Sequence, residues 1–415
     1  MAEKYWYGGD GVYKGQADWD TSRFATTLDN AAATDETGGL VGIPCTGHGF
    51  LTGDSVTIAG STNYNDTYEV HANTTADKIV ITETYAAETF GGSETVTSAE
   101  TESNWRLCSD DSETTKPADA DVVYCDRRAA LNSTTNKRQS MDSHCAGSYS
   151  GTPDLAGLNI RSTFDGDIGS ADYPWEFEAD GFDVIVEGTG TYYFMLSSGT
   201  GTDADCDRFV INNKLATVYL SSLENDGANV GLWALVIGLA GTLYLSDDCA
   251  VTTIKVLSND VTVYSGTGVY NDLSTTALTI LMVGGTMYHD SAILAAEIYG
   301  GSTFYWGTEI AAAVAGLDAG LIQLTADSRV YWRCMDSTKS ILEQFIAYGG
   351  TLDASQPINS DYAREIGDGA KDSEIWTEAT VRLNAPGQAV TLASGSKIIG
   401  RGGKLYPPDG EELAW

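Results

Sequence analysis

One phrase recurs through the second half of this 415-residue chain: a small residue, a threonine, an apolar residue and a tyrosine. It reads Ala216-Thr217-Val218-Tyr219, Gly241-Thr242-Leu243-Tyr244, Val261-Thr262-Val263-Tyr264, Gly285-Thr286-Met287-Tyr288, Ser302-Thr303-Phe304-Tyr305 and Ser328-Arg329-Val330-Tyr331. Two degraded copies follow, Gly350-Thr351-Leu352-Asp353 and Gly402-Gly403-Lys404-Leu405-Tyr406. From Tyr219 to Asp353 the steps are 25, 20, 24, 17, 26 and 22 residues. A unit of this length matches one rung of a solenoid, which buries its apolar side only by stacking on its neighbours. Unequal steps fit turns of different length on a regular coil.

Between the copies lie further strand-length apolar runs, among them Ala234-Leu235-Val236-Ile237, Leu278-Thr279-Ile280-Leu281-Met282-Val283 and Leu321-Ile322-Gln323-Leu324. Most are followed by glycine or Asn-Asp turn chemistry. One rung is therefore expected to read strand, turn, strand, turn. Stacking sets like residues over like, so Tyr219, Tyr244, Tyr264, Tyr288, Tyr305 and Tyr331 are expected to form one ladder and to serve the rungs or a subunit contact. An antiparallel sandwich explains the strands but not one phrase recurring at one phase. The fold class expected is all-β: a right-handed, single-stranded parallel β-helix with a small antiparallel β module inserted near the N-terminus.

The boundaries expected are an N-terminal β cap over 1–37, continued at 98–139, with the inserted module at 38–97. The β-helix follows over 140–371, with its most regular stack at 216–353, and C-terminal rungs and a cap or tail take up 372–415. In the module, Val56/Ile58 and Tyr68/Val70 alternate with polar neighbours as half-buried antiparallel strands do. In the last segment, Pro407-Pro408 stops strand pairing, and the terminal Trp415 is a candidate anchor against a neighbour.

Composition agrees with strands and turns: 46 glycines, 22 tyrosines and 9 tryptophans stand beside only 8 prolines. The net charge is −35, so a phosphate backbone is repelled and no nucleic-acid partner is expected. The longest apolar run, Val230 to Leu245, is too short to span a bilayer and is broken by Gly231, Gly238 and Gly241, so no membrane association is expected. The segment Met1-Ala2-Glu3-Lys4-Tyr5-Trp6-Tyr7 holds no apolar core of a signal peptide.

The seven cysteines, Cys45, Cys108, Cys125, Cys145, Cys206, Cys249 and Cys334, form no C-x-x-C pair. They read as buried free thiols made in a reducing cytosol. His48, His71, His144 and His289 have no partner at metal-ligand spacing, and no calcium-loop, phosphate-loop or nucleophile-elbow motif occurs. No metal and no cofactor is expected. A glycosidase needs two carboxylates across a groove, and Asp247, Asp248, Asp290, Glu297 and Glu309 are the candidates on or beside rungs. Among 58 acidic residues some such pair arises by chance, so these read as solvated turn carboxylates and no catalytic residue is assigned. Trp306, Trp332 and Tyr288 are candidate sugar-stacking aromatics, read first as ladder or subunit contacts.

Several phrases resemble a known group. The opening Tyr5-Trp6-Tyr7-Gly8-Gly9-Asp10-Gly11 with Asp18-Trp19 is similar to the start of phage-encoded β-helix virion proteins. So are Pro117-Ala118-Asp119-Ala120-Asp121-Val122-Val123-Tyr124 and the stretch from Leu158-Asn159-Ile160 to Ser170. The 38–97 module looks like a small β domain of phage structural proteins. This resemblance implies a non-enzymatic virion protein assembled in the host cytoplasm. It implies a homotrimer that decorates or cements the head by binding the major capsid protein. The alternative it implies is a tailspike or tail fibre that binds, or binds and hydrolyses, host surface glycans.

Overall fold

The computed structural model describes residues 2–7, 25–48, 50, 52–53, 55–98, 105–111, 113–114, 117, 120–131, 137–138, 140–141, 155–171, 174–177, 180–197, 205–223, 232–246, 249–265, 278–290, 292–307, 318–333, 339–355, 363–367, 369, 371–383 and 390–407. Its elements are all strands. Most belong to one parallel solenoid, in which each strand pairs in register with the equivalent strand of the next coil.

Two long sides carry the core. On the first, Val123, Leu158, Val184, Phe209, Val236, Ile254, Ile280, Ala296, Ile322 and Phe345 stand directly over one another. All are fully excluded from solvent. On the second, Tyr192, Val218, Leu243, Val263, Met287, Phe304, Val330, Leu352, Val381 and Leu405 make the matching column. Because side chains alternate along a strand, the apolar residue of the repeated phrase points inward and its threonine and tyrosine point out. The parallel β-helix is thus the observed fold, and it extends beyond 216–353 in both directions.

The two-strand rung needs one correction. A short third side precedes the first, seen where Asp205 pairs with Leu232 and Leu232 with Ala250. It separates at Lys339–Asp353, whose beginning pairs with Ala363–Ile366 while its middle pairs with Ser373–Arg382. The reason is that single strands as long as Asp205–Leu223 bend around corners without a turn residue to mark them.

Corners that do turn demand small residues. Gly350 has φ +74, and a Cβ there would lie 2.5 Å from the carbonyl oxygens of Thr325 and Ser328. Where serine replaces the glycine, it is buried and its hydroxyl donates to a carbonyl of its own turn: Ser302 to Tyr299 and Ser328 to Thr325. This is why the phrase begins with Gly, Ala or Ser in most copies.

At the N-terminal end, Glu3–Trp6 pairs in parallel with Val122–Cys125 on one edge. On the other edge it pairs antiparallel with Trp105–Leu107, which pairs antiparallel with Glu113–Thr114. Antiparallel pairing reverses the chain direction and so terminates the parallel stack. Val122–Cys125 is already a coil strand, so the coil takes in part of the 98–139 stretch. At the other end the described coils run to Lys404–Tyr406, so 372–383 and 390–406 continue the solenoid.

The inserted module is antiparallel. One sheet has the order Ala25–Thr27, Thr95–Ser98, Ser55–Ala59, Thr67–Glu69, and the other Thr34–Asp35, Leu40–Pro44, Lys78–Thr82. It has its own core, built from Val41, Ile43, Val56, Ile58, Tyr64, Ile79, Phe90 and Val96. Leu28 and Ala33 belong to that core too, so the module draws in residues from Ala25 onward.

Candidate interaction face

The outward residues of the second long side form the most regular surface of the molecule. Tyr219, Tyr244, Tyr264, Tyr288, Tyr305 and Tyr331 stand in one column, with ring centroids 4.7, 4.8, 5.0, 4.7 and 4.8 Å apart. Interplanar angles are 8, 9, 3, 5 and 9°, so the rings are parallel. The ladder has a seventh member, Tyr193, stacked on Tyr219 at 4.4 Å. Its phrase, Gly190-Thr191-Tyr192-Tyr193, fits the repeat, but the apolar place is taken by a second tyrosine. Tyr192 is buried, and its hydroxyl accepts the Gly190 amide at 2.8 Å.

The ring spacing equals the distance between neighbouring strands. Each tyrosine face is therefore covered by the next tyrosine, and what remains for a partner is a row of ring edges and hydroxyls. A parallel column of threonines runs beside it: Thr191, Thr217, Thr242, Thr262, Thr286 and Thr303, each paired with the next. From Thr191 to Tyr305, the threonine and tyrosine positions of this face carry no charged residue, in a chain of net charge −35. Burial, and next the neighbouring tyrosines, push the Tyr219, Tyr244 and Tyr288 hydroxyls above their usual range. These three hydroxyls therefore keep their protons at physiological pH.

Below the ladder the column changes character. Tyr331 pairs with Asp353, Asp353 with Arg382, and Arg382 with Tyr406. The Arg333 guanidinium lies over the Tyr305 ring at 5.0 Å and that of Arg382 over the Tyr406 ring at 5.3 Å. Beside the upper end, Ala171, Pro174, Tyr193, Tyr219, Ser221, Tyr244 and Ser246 line a mostly apolar groove of about 350 Å³.

The other candidates lie elsewhere. Trp306 and Trp332 stack on each other at 5.5 Å, but inside the coil and almost wholly excluded from solvent. They are core, and no sugar reaches them. The strand positions explain it, since each follows an outward tyrosine and so points in. Asp290 is buried beside His289, whose Nδ1 lies 2.8 Å from the Ser265 hydroxyl. Glu297 is exposed and accepts a hydrogen bond from the Tyr299 hydroxyl at 2.7 Å. Asp247, Asp248, Glu309 and Trp415 lie outside the described residues. Among the described residues, no group of three His, Cys, Asp or Glu side chains is placed to hold a metal ion.

Cys45, Cys125, Cys206 and Cys249 are buried free thiols, and burial raises all four, Cys45 to about 12. His48 is buried in the module. Its Nδ1 accepts the Phe50 amide at 2.9 Å and its Nε2 donates to the Thr75 carbonyl at 2.7 Å. Both are structural roles.

No family model matches this chain, nor does any curated protein or solved structure.

Proposed function

We propose that this chain is a non-enzymatic structural protein of a phage virion: a decoration protein that sits on the head as a homotrimer and staples neighbouring major capsid protein subunits. The observation that carries this reading is the tyrosine–threonine face. Its aromatic faces are used up in stacking, so it offers a flat, uncharged row of edges and hydroxyls. Tyrosine-rich, charge-poor surfaces suit protein contact, because a rigid ring loses little conformational freedom on binding. A solenoid repeats such contacts at fixed spacing, and many weak contacts repeated on a lattice add up to firm attachment.

Copy number tests the reading. Quantitative labelling of purified particles is expected to find this chain in hundreds of copies per particle. A few tens or fewer would move it to the tail. The groove beside Tyr193, Tyr219 and Tyr244 favours a second reading, a tailspike or fibre that grips a host glycan, since Pro174 and the ring edges border Ser221 and Ser246 hydroxyls there. Binding of host polysaccharide that is lost on Tyr219→Ala would favour that reading.

A further inference from the structure

A guanidinium without a carboxylate is out of place in a chain of 58 acids and 23 bases. Eight described lysines and arginines form salt bridges within the chain, as Arg208 does with Asp183 and Arg401 with Glu374. Among the described residues, Arg329, Arg333 and Arg382 form none. All three lie just below the tyrosine ladder, on its side of the coil. In the threonine column Thr303 is followed by Arg329, Thr351, Thr380 and Lys404, and in the tyrosine column Tyr331 is followed by Asp353, Arg382 and Tyr406. Arg329, Arg382 and Lys404 are exposed. The acid in this stretch, Asp353, accepts the Ser355 amide at 2.9 Å. The Arg333 and Arg382 guanidiniums rest on the Tyr305 and Tyr406 rings. Stacking fixes the plane of each fork and presets it for a carboxylate.

We propose that this basic strip is the register-setting anchor of the docking face, and that its occupant is a short carboxylate-bearing protein segment. On the capsid reading, on which the inference rests, that segment belongs to the shell protein. The ladder by itself fixes no position. Its rungs are alike and stand between 4.4 and 5.0 Å apart, so a partner displaced by one coil regains nearly the same contacts. Uniform strand surfaces specify register weakly, whereas charges specify it well. The strip breaks the repetition at one end, and so sets both where the partner sits and which way it runs.

Geometry and charge argue for carboxylates spaced along a chain. Arg329 and Lys404 are three coil steps apart. That is about 14 Å, which about four or five extended residues span. Arg329, Thr351, Thr380 and Glu378 line a mostly polar groove of about 360 Å³, which gives the segment's side chains room beside two hydroxyls. Asp327 and Glu378 border the same groove and oppose a dense polyanion there. The net charge of −35 also repels a phosphate backbone from a distance. Separate carboxylates each take one guanidinium and stay clear of those two acids.

Cosedimentation of the full chain with purified shells that lack it tests the anchor. Binding of the unaltered chain is expected to weaken about tenfold between about 0.05 and about 0.5 M salt. Arg329→Glu combined with Arg382→Glu is expected to weaken binding at low salt by about tenfold or more and to flatten that salt dependence, with an unchanged β-type circular dichroism spectrum. Lys255→Glu, on the first long side, is expected to leave binding nearly unaltered. If the double reversal unfolds the chain, Arg329→Gln with Arg382→Gln replaces it. A second arm needs no shells: a fluorescent peptide of alternating glutamate and glycine is expected to bind the unaltered chain, and not the double variant, by anisotropy. Shell binding indifferent to the strip, a peptide held equally by the double variant, or its displacement by an equal concentration of a single-stranded oligonucleotide would overturn the proposal. A chain that binds no shells, but holds the peptide through Arg329 and Arg382, would sink the capsid reading and leave the strip standing. Binding to neither would sink both.

Discussion

Lys4 Nζ lies 2.9 Å from the Asp121 carboxylate, and both side chains are more than nine-tenths excluded from solvent. The same carboxylate accepts the Ala2 amide at 2.8 Å. This pair ties the first strand to the coil strand it covers. Removing one partner strands a charge in a dry place, which costs about 3–5 kcal/mol, whereas replacing both by well-packed apolar residues is near neutral. Lys4→Ala is therefore expected to lower the denaturant midpoint, while Lys4→Met with Asp121→Leu restores most of it. Equal losses in the single and double variants would refute this account.

The ladder makes a graded prediction. Tyr264 is stacked on both sides, at 4.8 and 5.0 Å. Two aromatic pairs are worth about 1–3 kcal/mol together. Tyr264→Ala is expected to cost that much in equilibrium unfolding, and Tyr264→Phe, which keeps the ring, less than about 0.5 kcal/mol. Were the two variants to lose the same stability, hydroxyl bonding rather than stacking would be holding the column.

Alkali is expected to attack the same column. The Tyr219, Tyr244 and Tyr288 hydroxyls hold their protons more tightly than free tyrosine, whose ordinary value is 10.0, chiefly because of burial. The unfolded chain releases these protons first, so the stabilisation is complete below pH about 10 and is lost as the pH rises through the higher folded values. Unfolding monitored from pH 8 to 12 should show the melting temperature falling only above about pH 10. Phenolate absorbance of the native protein that titrates entirely like free tyrosine would contradict it.

The module has the opposite weakness. Burial pushes His48 below its ordinary value of 6.5, and its ring is held neutral by the Phe50 amide on Nδ1. Here the unfolded chain binds the extra proton, so the contribution is present above pH about 6.5 and is lost as the pH falls. Amide exchange at Ile79, Val80 and Ile81, in the adjoining strand, is expected to quicken below that pH and to lose the dependence in His48→Gln. Exchange with the same pH profile in both proteins would rule the histidine out.

The parts of this fold legible in the sequence are those governed by repetition. Tyr219 to Tyr331 could be placed over one another because a parallel coil puts equal phases in register, and the structure does so. Tyr193 escaped because its inward neighbour Tyr192 hides the alternation. The third side escaped because Lys339–Asp353 bends within a continuous strand. Trp306 and Trp332 look like surface aromatics until the phase of the neighbouring tyrosines is applied, and that phase turns them inward. The module's true start escaped because Ala25–Thr27 finds its partner, Thr95–Ser98, about seventy residues away, a pairing that three residues of sequence do not announce.

Trp6 stands opposite Trp105 in an antiparallel pair, their rings edge to face at 5.2 Å. The chain thus leaves the coil and returns to it at one point, with the whole module between. A loop closed at its base in this way adds only about 0.6 kcal/mol of closure entropy for each doubling of its length. That position is an exchange port: one module can be removed, lengthened or replaced by another there while every coil keeps its register, so a lineage can alter what the chain presents at this end without redesigning the coil beneath it.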